Sequence, residues 1–217
     1  MAKPKPSEAE LKIRDIEWSF NKNSERVSNI IKVYDDHLKP AGKGRVSAVA
    51  QDVIRAGVVL LHASVEDLIR QSRIRFFSKA DKSALDDIPL PQRKGKRPEQ
   101  YKLGSLIDFK EETVANLIDR SIEEFYENYG SISVIQDLIS GIQACGIEEF
   151  YFDYKNLVEL ISRRHNIVHK GDANRDAKGK GVSKIRSITI HELRDFYNDA
   201  DTFAEKFLAE LRKVHNS

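Results

Sequence analysis

Residues 47–77 read SAVAQDVIRAGVVLLHASVEDLIRQSRIRFF, and the placing of their apolar side chains decides the fold class. Ile54, Val58, Leu61, Val65, Leu68, Ile69 and Phe76 fall at helical spacing, which lines them along one face of a helix and would scatter them over both faces of a strand. Ser47 stands where an N-cap belongs, so the stretch predicts one long helix running to about Phe77. Beside the stripe, Arg55, His62, Glu66 and Arg73 fall within about 40° of one another around such a helix. This polar edge has two readings: a solvated boundary, or a place where Glu66 orients Arg163 or Arg164.

The same period extends in both directions. From residue 7 to about 38, Ile16, Phe20, Val27, Ile30, Ile31, Tyr34 and Leu38 mark a first helix, weakened at residues 21–24. Pro40, Gly42 and Gly44 make the turn between the two. Residues 79–104 lose the period and gather three prolines and the run Arg93, Lys94, Lys96, Arg97, which reads as a loop or insertion. No proline follows Pro98, so long helices are permitted to the end. A helix is expected over residues 111–129, with Val114, Leu117, Ile118, Phe125 and Tyr129 inward, and a short one within residues 132–142. Another begins near Asp153, where Phe152 and Leu157 are spaced for a hydrophobic staple, and runs to about His169 with Gly171 placed to end it. Residues 170–187 form a basic, glycine-rich connection. The last helix opens on Thr189 and Glu192, a capping-box spacing, and carries Leu193, Phe196, Tyr197, Ala200, Phe203, Phe207, Leu211 and Val214 on one face. With no alternating pattern and no repeat, the expectation is an all-α, up-and-down bundle of about five or six helices. It forms a single domain over residues 7–217 behind a polar tail, residues 1–6.

Composition narrows the function. The chain has 217 residues, 40% hydrophobic and 32% charged, enough to bury a core without staples and too polar for a membrane protein. Its 36 basic and 34 acidic side chains leave a net charge of +2, so attraction to nucleic acid has to be local. The longest apolar run, residues 57–61, is far short of a span, and no partnership with a membrane is expected. A single cysteine, Cys145, fits a reducing compartment, hence a cytoplasmic protein, and reads as a small buried filler. No zinc spacing, phosphate-cradling glycine loop or nucleophilic serine motif is present, so no metal and no cofactor is expected.

One stretch breaks the rule of a structural helix. Residues 162–172 read Ser-Arg-Arg-His-Asn-Ile-Val-His-Lys-Gly-Asp. Continuing the apolar stripe of Leu157, Leu160 and Ile161 by three and four residues lands on Arg164 and His165, then on Val168. Burying ionisable groups costs several kcal/mol unless they are paired or face a cavity or interface. Such local conflicts are where function tends to sit.

The order Arg164, polar His165, three residues, His169, with Ile167 and Val168 before the final histidine at a helix end, resembles the motif of the HEPN superfamily. Residues 55–70 are also similar to the long early helix of stand-alone HEPN proteins related to ribonuclease LS-type toxins and phage-defence effectors. The resemblance covers residues 7–215. It implies metal-independent RNA cleavage by a homodimer whose paired motifs share a cleft, with His169 as general acid or base and Arg164 as phosphate stabiliser. It assigns supporting places to His165, Asn166, Arg163 and Glu66, and allows an antitoxin or regulatory protein as a further partner. The residue types suit the chemistry: a histidine, titrating at about 6.5 in general, can take or give a proton at neutral pH, and a guanidinium can hold phosphate oxygens in a bidentate grip. In family members controlled by nucleotide transfer a tyrosine lies two residues after the histidine; here Gly171 stands there, which puts that control in doubt.

Other readings stay open beside these. His169 also suits a helix C-terminus for its charge alone, Arg164 suits a structural ion pair with Glu66, and Asn166 suits plain solvent. Residues 163–186 hold eight basic and two acidic side chains, a local charge of +6; Lys170, Lys178, Lys180 and Lys184 there could track an RNA backbone or simply be solvated. On a regular helix Arg164 and His169 point about 140° apart, so either the helix ends before His169 or the two work across a dimer. A non-catalytic HEPN module binding RNA or protein is the alternative function.

Overall fold

The helix foreseen at residues 47–77 is the axis of the molecule. A computed structural model describes residues 5–42, 46–77, 85, 88, 89, 109–174 and 185–216. Among these run α1 (Glu8–Val33, continued by one wider turn over Tyr34–Leu38), α2 (Ala48–Phe76), α3 (Val114–Tyr129), α4 (Ile135–Ala144), α5 (Lys155–Lys170) and α6 (Ile190–His215). The described residues form an all-α bundle in which α2 touches every other helix, while α1 and α5 also pack on α6. The one departure from helix pairing is an isolated antiparallel bridge between Ala173 and Ile185. The 79–104 insertion, apart from residues 85, 88 and 89, lies outside the described residues, as do residues 1–4 and 175–184.

Four of the helices, α1, α2, α3 and α6, start where a capping side chain stands. Ser7 accepts the Glu10 N–H at 3.0 Å, Ser47 the Ala50 N–H at 3.1 Å, and Thr113 the Asn116 N–H at 3.2 Å. Thr189 and Glu192 close the capping box of α6, with Glu192 N–H donating to Thr189 Oγ1 and Thr189 N–H to Glu192 Oε2. The buried side chains follow the helical stripes: Ile13, Ile16, Phe20 and Val27 from α1, Ile54, Val58, Leu61, Leu68 and Ile69 from α2, and Leu193, Phe196, Ala200, Phe203, Phe207 and Leu211 from α6. Cys145 is buried among them, its thiol donating to the Gly141 carbonyl and pushed up by burial to a pKa of about 12, as an inert filler should be. By length and apolarity α2 could cross a membrane; here its apolar side chains are instead the core of the bundle.

Helix α1 is the single long helix expected and runs through residues 21–24, where Ser24 is buried between the turns of Phe20 and Val27. Three expectations are corrected. Helix α3 begins at Val114 rather than at residue 111, and its inward line is Ile118, Ile122 and Tyr126; Val114 and Tyr129 are exposed. In α6, Val214 is likewise exposed, beyond the last core contact at Leu211.

The largest correction concerns the polar edge of α2, which is not a solvated boundary. His62 and Arg73 are buried, and the four polar side chains each grip backbone that returns to the bundle. Arg73 Nη2 donates to the Asp137 carbonyl at the start of α4. His62 Nε2 lies 3.0 Å from the Ile132 carbonyl, and Glu66 Oε2 accepts the Ile132 N–H at 3.2 Å, so one turn of α2 holds both backbone groups of one residue. Because a carbonyl can only accept, neutral His62 carries its proton on Nε2. At the far end Arg55 Nε donates to Asp172 Oδ2 at 2.8 Å and Arg55 Nη2 to the Arg186 carbonyl at 2.8 Å.

Asp172 is the joint of this seam. Helix α5 ends on Gly171 in the left-handed region (φ 56°), followed by Asp172, also left-handed (φ 53°), and the Asp172 N–H returns to the Asn166 carbonyl. That turn drives the Asp172 carboxylate inward, to 2% exposure, where it accepts from both Arg55 and Arg163. Arg163 Nη2, 2.9 Å from Asp172 Oδ2, also donates to the Ser187 carbonyl at 2.8 Å. The Arg186 N–H donates to the Asp172 carbonyl, so both feet of the 175–184 segment are tied together. Two guanidiniums thus share one buried carboxylate, and burial holds the Arg163 pKa below its ordinary value while Asp172 opposes that shift.

Removing Asp172 leaves two cations facing each other in the interior. Asp172→Ala is therefore expected to cost about 3–5 kcal/mol in urea unfolding; a loss under about 1 kcal/mol, the worth of an exposed pair, would contradict this. His62 gives a pH dependence. Burial lowers its pKa, Arg164 adds to the lowering, and Glu66 and the Ile132 carbonyl oppose it. The unfolded chain then binds the proton more readily than the fold, so stability from this group is complete above the unfolded pKa of about 6.5 and declines as pH falls below it. Between pH 7.5 and 5.5 the melting temperature of the wild type should fall further than that of His62→Gln, and equal slopes would refute the assignment.

Candidate functional site

Helix α5 separates two neighbouring arginines into different environments. Its stripe of Leu157, Leu160 and Ile161 packs into the core, and Asp153 Oδ1 accepts the Lys155 N–H at its start. The next buried position on the helix is Arg163, 4% exposed. Arg164, one residue on, is half-buried and turned by about 100° around the helix. Its charge is close enough to depress protonation of His62 on α2. Among the described residues the Arg164 guanidinium has no carboxylate partner, and Glu66, the candidate for that role, instead holds Ile132. The buried conflict expected at Arg164 and His165 therefore falls at Arg163, and His165 is exposed, as is Val168.

The outer face of α5 carries the histidines. His165 and His169 stand one turn apart, both exposed, with ring centroids 4.9 Å apart and planes tilted by 43°. Desolvation by its surroundings lowers the pKa of His165, and the charges of Lys170, His169 and Arg164 lower it further. Helix α5 runs unbroken through His169 to Lys170, which removes the option that it stops before the histidine. Arg164 and His169 therefore diverge by about 140° on one helix, as regular geometry requires.

The remaining expected residues divide plainly. Asn166 is half-buried, and its carbonyl accepts the N–H groups of Gly171 and Asp172, so its backbone ends the helix that bears the histidines. Lys170 is exposed in the last helical turn. Lys178, Lys180 and Lys184 lie outside the described residues. Arg163 and Glu66 belong to the buried seam and not to the open face, so Arg163 is withdrawn from the basic set that could meet phosphate. Asp172 and Arg55 were missed as a pair. The available signal was Asp172 directly after the helix-ending Gly171, where a left-handed turn points a short acid back at the bundle.

Among the described residues no three His, Cys, Asp or Glu side chains gather in a way that could hold a metal ion. What α5 offers is two exposed imidazoles and, diverging from them, a half-buried guanidinium without a carboxylate partner among the described residues. These are groups that can bind a phosphate and move a proton.

The family model described as RiboL-PSP-HEPN matches residues 12–212, a span that runs from the second turn of α1 to the last turn of α6. No match is found among curated proteins or among solved structures. The matched span takes in the whole bundle, the buried seam and the Arg164–His169 stretch, and the chain belongs to the RiboL-PSP-HEPN family.

Proposed function

We propose that this chain is a metal-independent endoribonuclease of HEPN type that acts as a homodimer, with toxin or phage-defence activity as its biological role. The observation that carries the reading is the split between Arg163 and Arg164. Arg163 is buried and takes the structural ion pair, while Arg164 stays without a carboxylate partner among the described residues, on the same helix as two exposed histidines. A cation held half-buried without a counter-ion is poorly explained by stability and well explained by an anionic ligand.

In this mechanism His169 accepts the proton of an RNA 2′-hydroxyl as its oxygen attacks the adjacent phosphorus. A new O–P bond forms, the bond to the 5′-oxygen breaks, and the departing oxygen takes a proton, leaving a 2′,3′-cyclic phosphate and a 5′-hydroxyl. Arg164 holds the non-bridging oxygens while charge builds on them. Because the two side chains diverge on one helix, Arg164 of one protomer and His169 of its partner have to meet across the interface. The outward face of α5 suits that contact: Val158, Ser162, His165 and His169 follow one another at four-, three- and four-residue steps, all exposed, with small Ser162 at the centre. The same divergence favours a second reading, a non-catalytic HEPN module for RNA or protein, in which the two groups never assemble.

Arg164→Ala and His169→Ala should each lower cleavage by on the order of a hundredfold while leaving the dimer intact, and Arg164→Lys should recover little. Cleavage by the wild type should be complete in EDTA. A His169→Ala dimer that cuts RNA at the wild-type rate would overturn the catalytic reading. Sedimentation at micromolar concentration should show a dimer for the wild type and a monomer for Ser162→Arg, with cleavage lost in the latter. A wild type that is monomeric throughout would refute the shared site.

A further inference from the structure

His165 and His169 have a second capability that proton transfer does not use. Two imidazoles one helical turn apart on one face are the spacing with which a helix presents two nitrogen ligands to a single ion, the arrangement that H-E-x-x-H helices use for zinc. Here both rings are exposed, their centroids are 4.9 Å apart, and the helix between them is unbroken. Regular geometry turns the second ring by only about 40° from the first, so both can reach one point above the helix. We propose that His165 and His169 together form a binding site for a divalent transition-metal ion, and that its occupation silences the RNA-cleaving reaction.

The chemistry sets which ions qualify. Neutral imidazole suits Zn2+, Ni2+ and Cu2+, whereas Mg2+ and Ca2+ demand oxygen ligands that this face lacks. Two ligands per chain do not fill a tetrahedral shell, and among the described residues no third His, Cys, Asp or Glu joins them. Water, or the same pair from a second copy across the α5 face, completes it. Lys170 and Arg164 act on His165 as positive neighbours, which weakens binding and makes the site a reversible sensor rather than a permanent structural centre. The inhibitory step is direct: a metal on the His169 nitrogen occupies the lone pair that would take the 2′-hydroxyl proton. This second half rests on the ribonuclease reading, whereas the metal site itself does not.

Calorimetric titration of the full chain with Zn2+ alone, without RNA, separates the two. Wild type should bind Zn2+ and Ni2+ and give no heat with Mg2+. His165→Ala and His169→Ala, confirmed folded by circular dichroism, should each weaken Zn2+ binding by about tenfold or more, since losing a ligand costs at least as much as losing a ligand's supporting partner. His37→Ala and His191→Ala, at exposed histidines on other elements, should bind as the wild type does. Absent binding, or binding unchanged in both α5 variants, overturns the site. In a parallel RNA assay, Zn2+ should slow wild-type cleavage and EDTA should restore it. Zn2+ bound at both histidines with cleavage undiminished overturns the inhibition, and an absence of cleavage in metal-free buffer refutes the ribonuclease reading while the titration still decides the metal site.

Discussion

Two guanidiniums closing on one buried carboxylate hold the working end of this molecule in place. Asp172 receives Arg55 from α2 and Arg163 from α5, and the same arginines reach the Arg186 and Ser187 carbonyls ahead of α6. Hydrophobic packing is directionless and fixes helices only loosely along their axes. Charged hydrogen bonds from two guanidiniums to one carboxylate oxygen, Asp172 Oδ2, have a defined geometry, and they fix where α5 stops. Two buried guanidiniums face one buried carboxylate, with Asp52 pairing Arg55 from the surface, and Arg163 Nε and Nη1 and Asp172 Oδ1 are buried without hydrogen-bond partners among the described residues. The cluster is costly as a source of stability. Its return is specificity of position, because no neighbouring register of α5 brings an acid between those two bases.

The rest of the α2 seam repeats the device with neutral partners. His62 and Glu66 hold Ile132 and Arg73 holds Asp137, so the chain leaving α3 and entering α4 is pinned as firmly as the chain leaving α5. Gly141 lets α4 come this close, since a Cβ there would meet Ile69 Cγ2 and, at 2.6 Å, Arg73 Nη2. The polar seam faces inward, and the histidine face of α5 is exposed. Rigid scaffolding beneath an exposed row of reactive groups is what a pre-organised site requires.

Much of this was legible in the sequence because helices announce themselves. The stripes of α2 and α6, the caps Ser47 and Thr189, and Gly171 as a stop all follow from local rules that packing did not override. The family resemblance read from Arg164, His165 and His169 agrees with the matched span of residues 12–212. What periodicity could not resolve was the phase at the end of α5. Carried on at 100° per residue, the stripe of Leu157, Leu160 and Ile161 points to Arg164 and not to Arg163, and only the distant partner Asp172, set by a left-handed turn, draws Arg163 inward. The polar edge of α2 was misread for the same reason. His62 and Arg73 are buried by connections that carry no period, residues 130–134 and the start of α4. The exposed ends of α3 show the limit from the other side, since Val114 and Tyr129 keep the spacing of a core face without one to join.

The central claim is that two adjacent arginines divide the work, Arg163 holding the fold and Arg164 left for an anion. The direct measurement is the unfolding free energy of Arg163→Ala and Arg164→Ala, side by side. The account predicts a loss of about 1.5–3 kcal/mol for Arg163→Ala, which takes charged hydrogen bonds from the buried Asp172 and the Ser187 carbonyl and leaves Arg55 as the carboxylate's remaining guanidinium, and a loss within about 1 kcal/mol for Arg164→Ala, which removes no ion pair among the described residues. Equal losses, or the larger loss at Arg164, would contradict it.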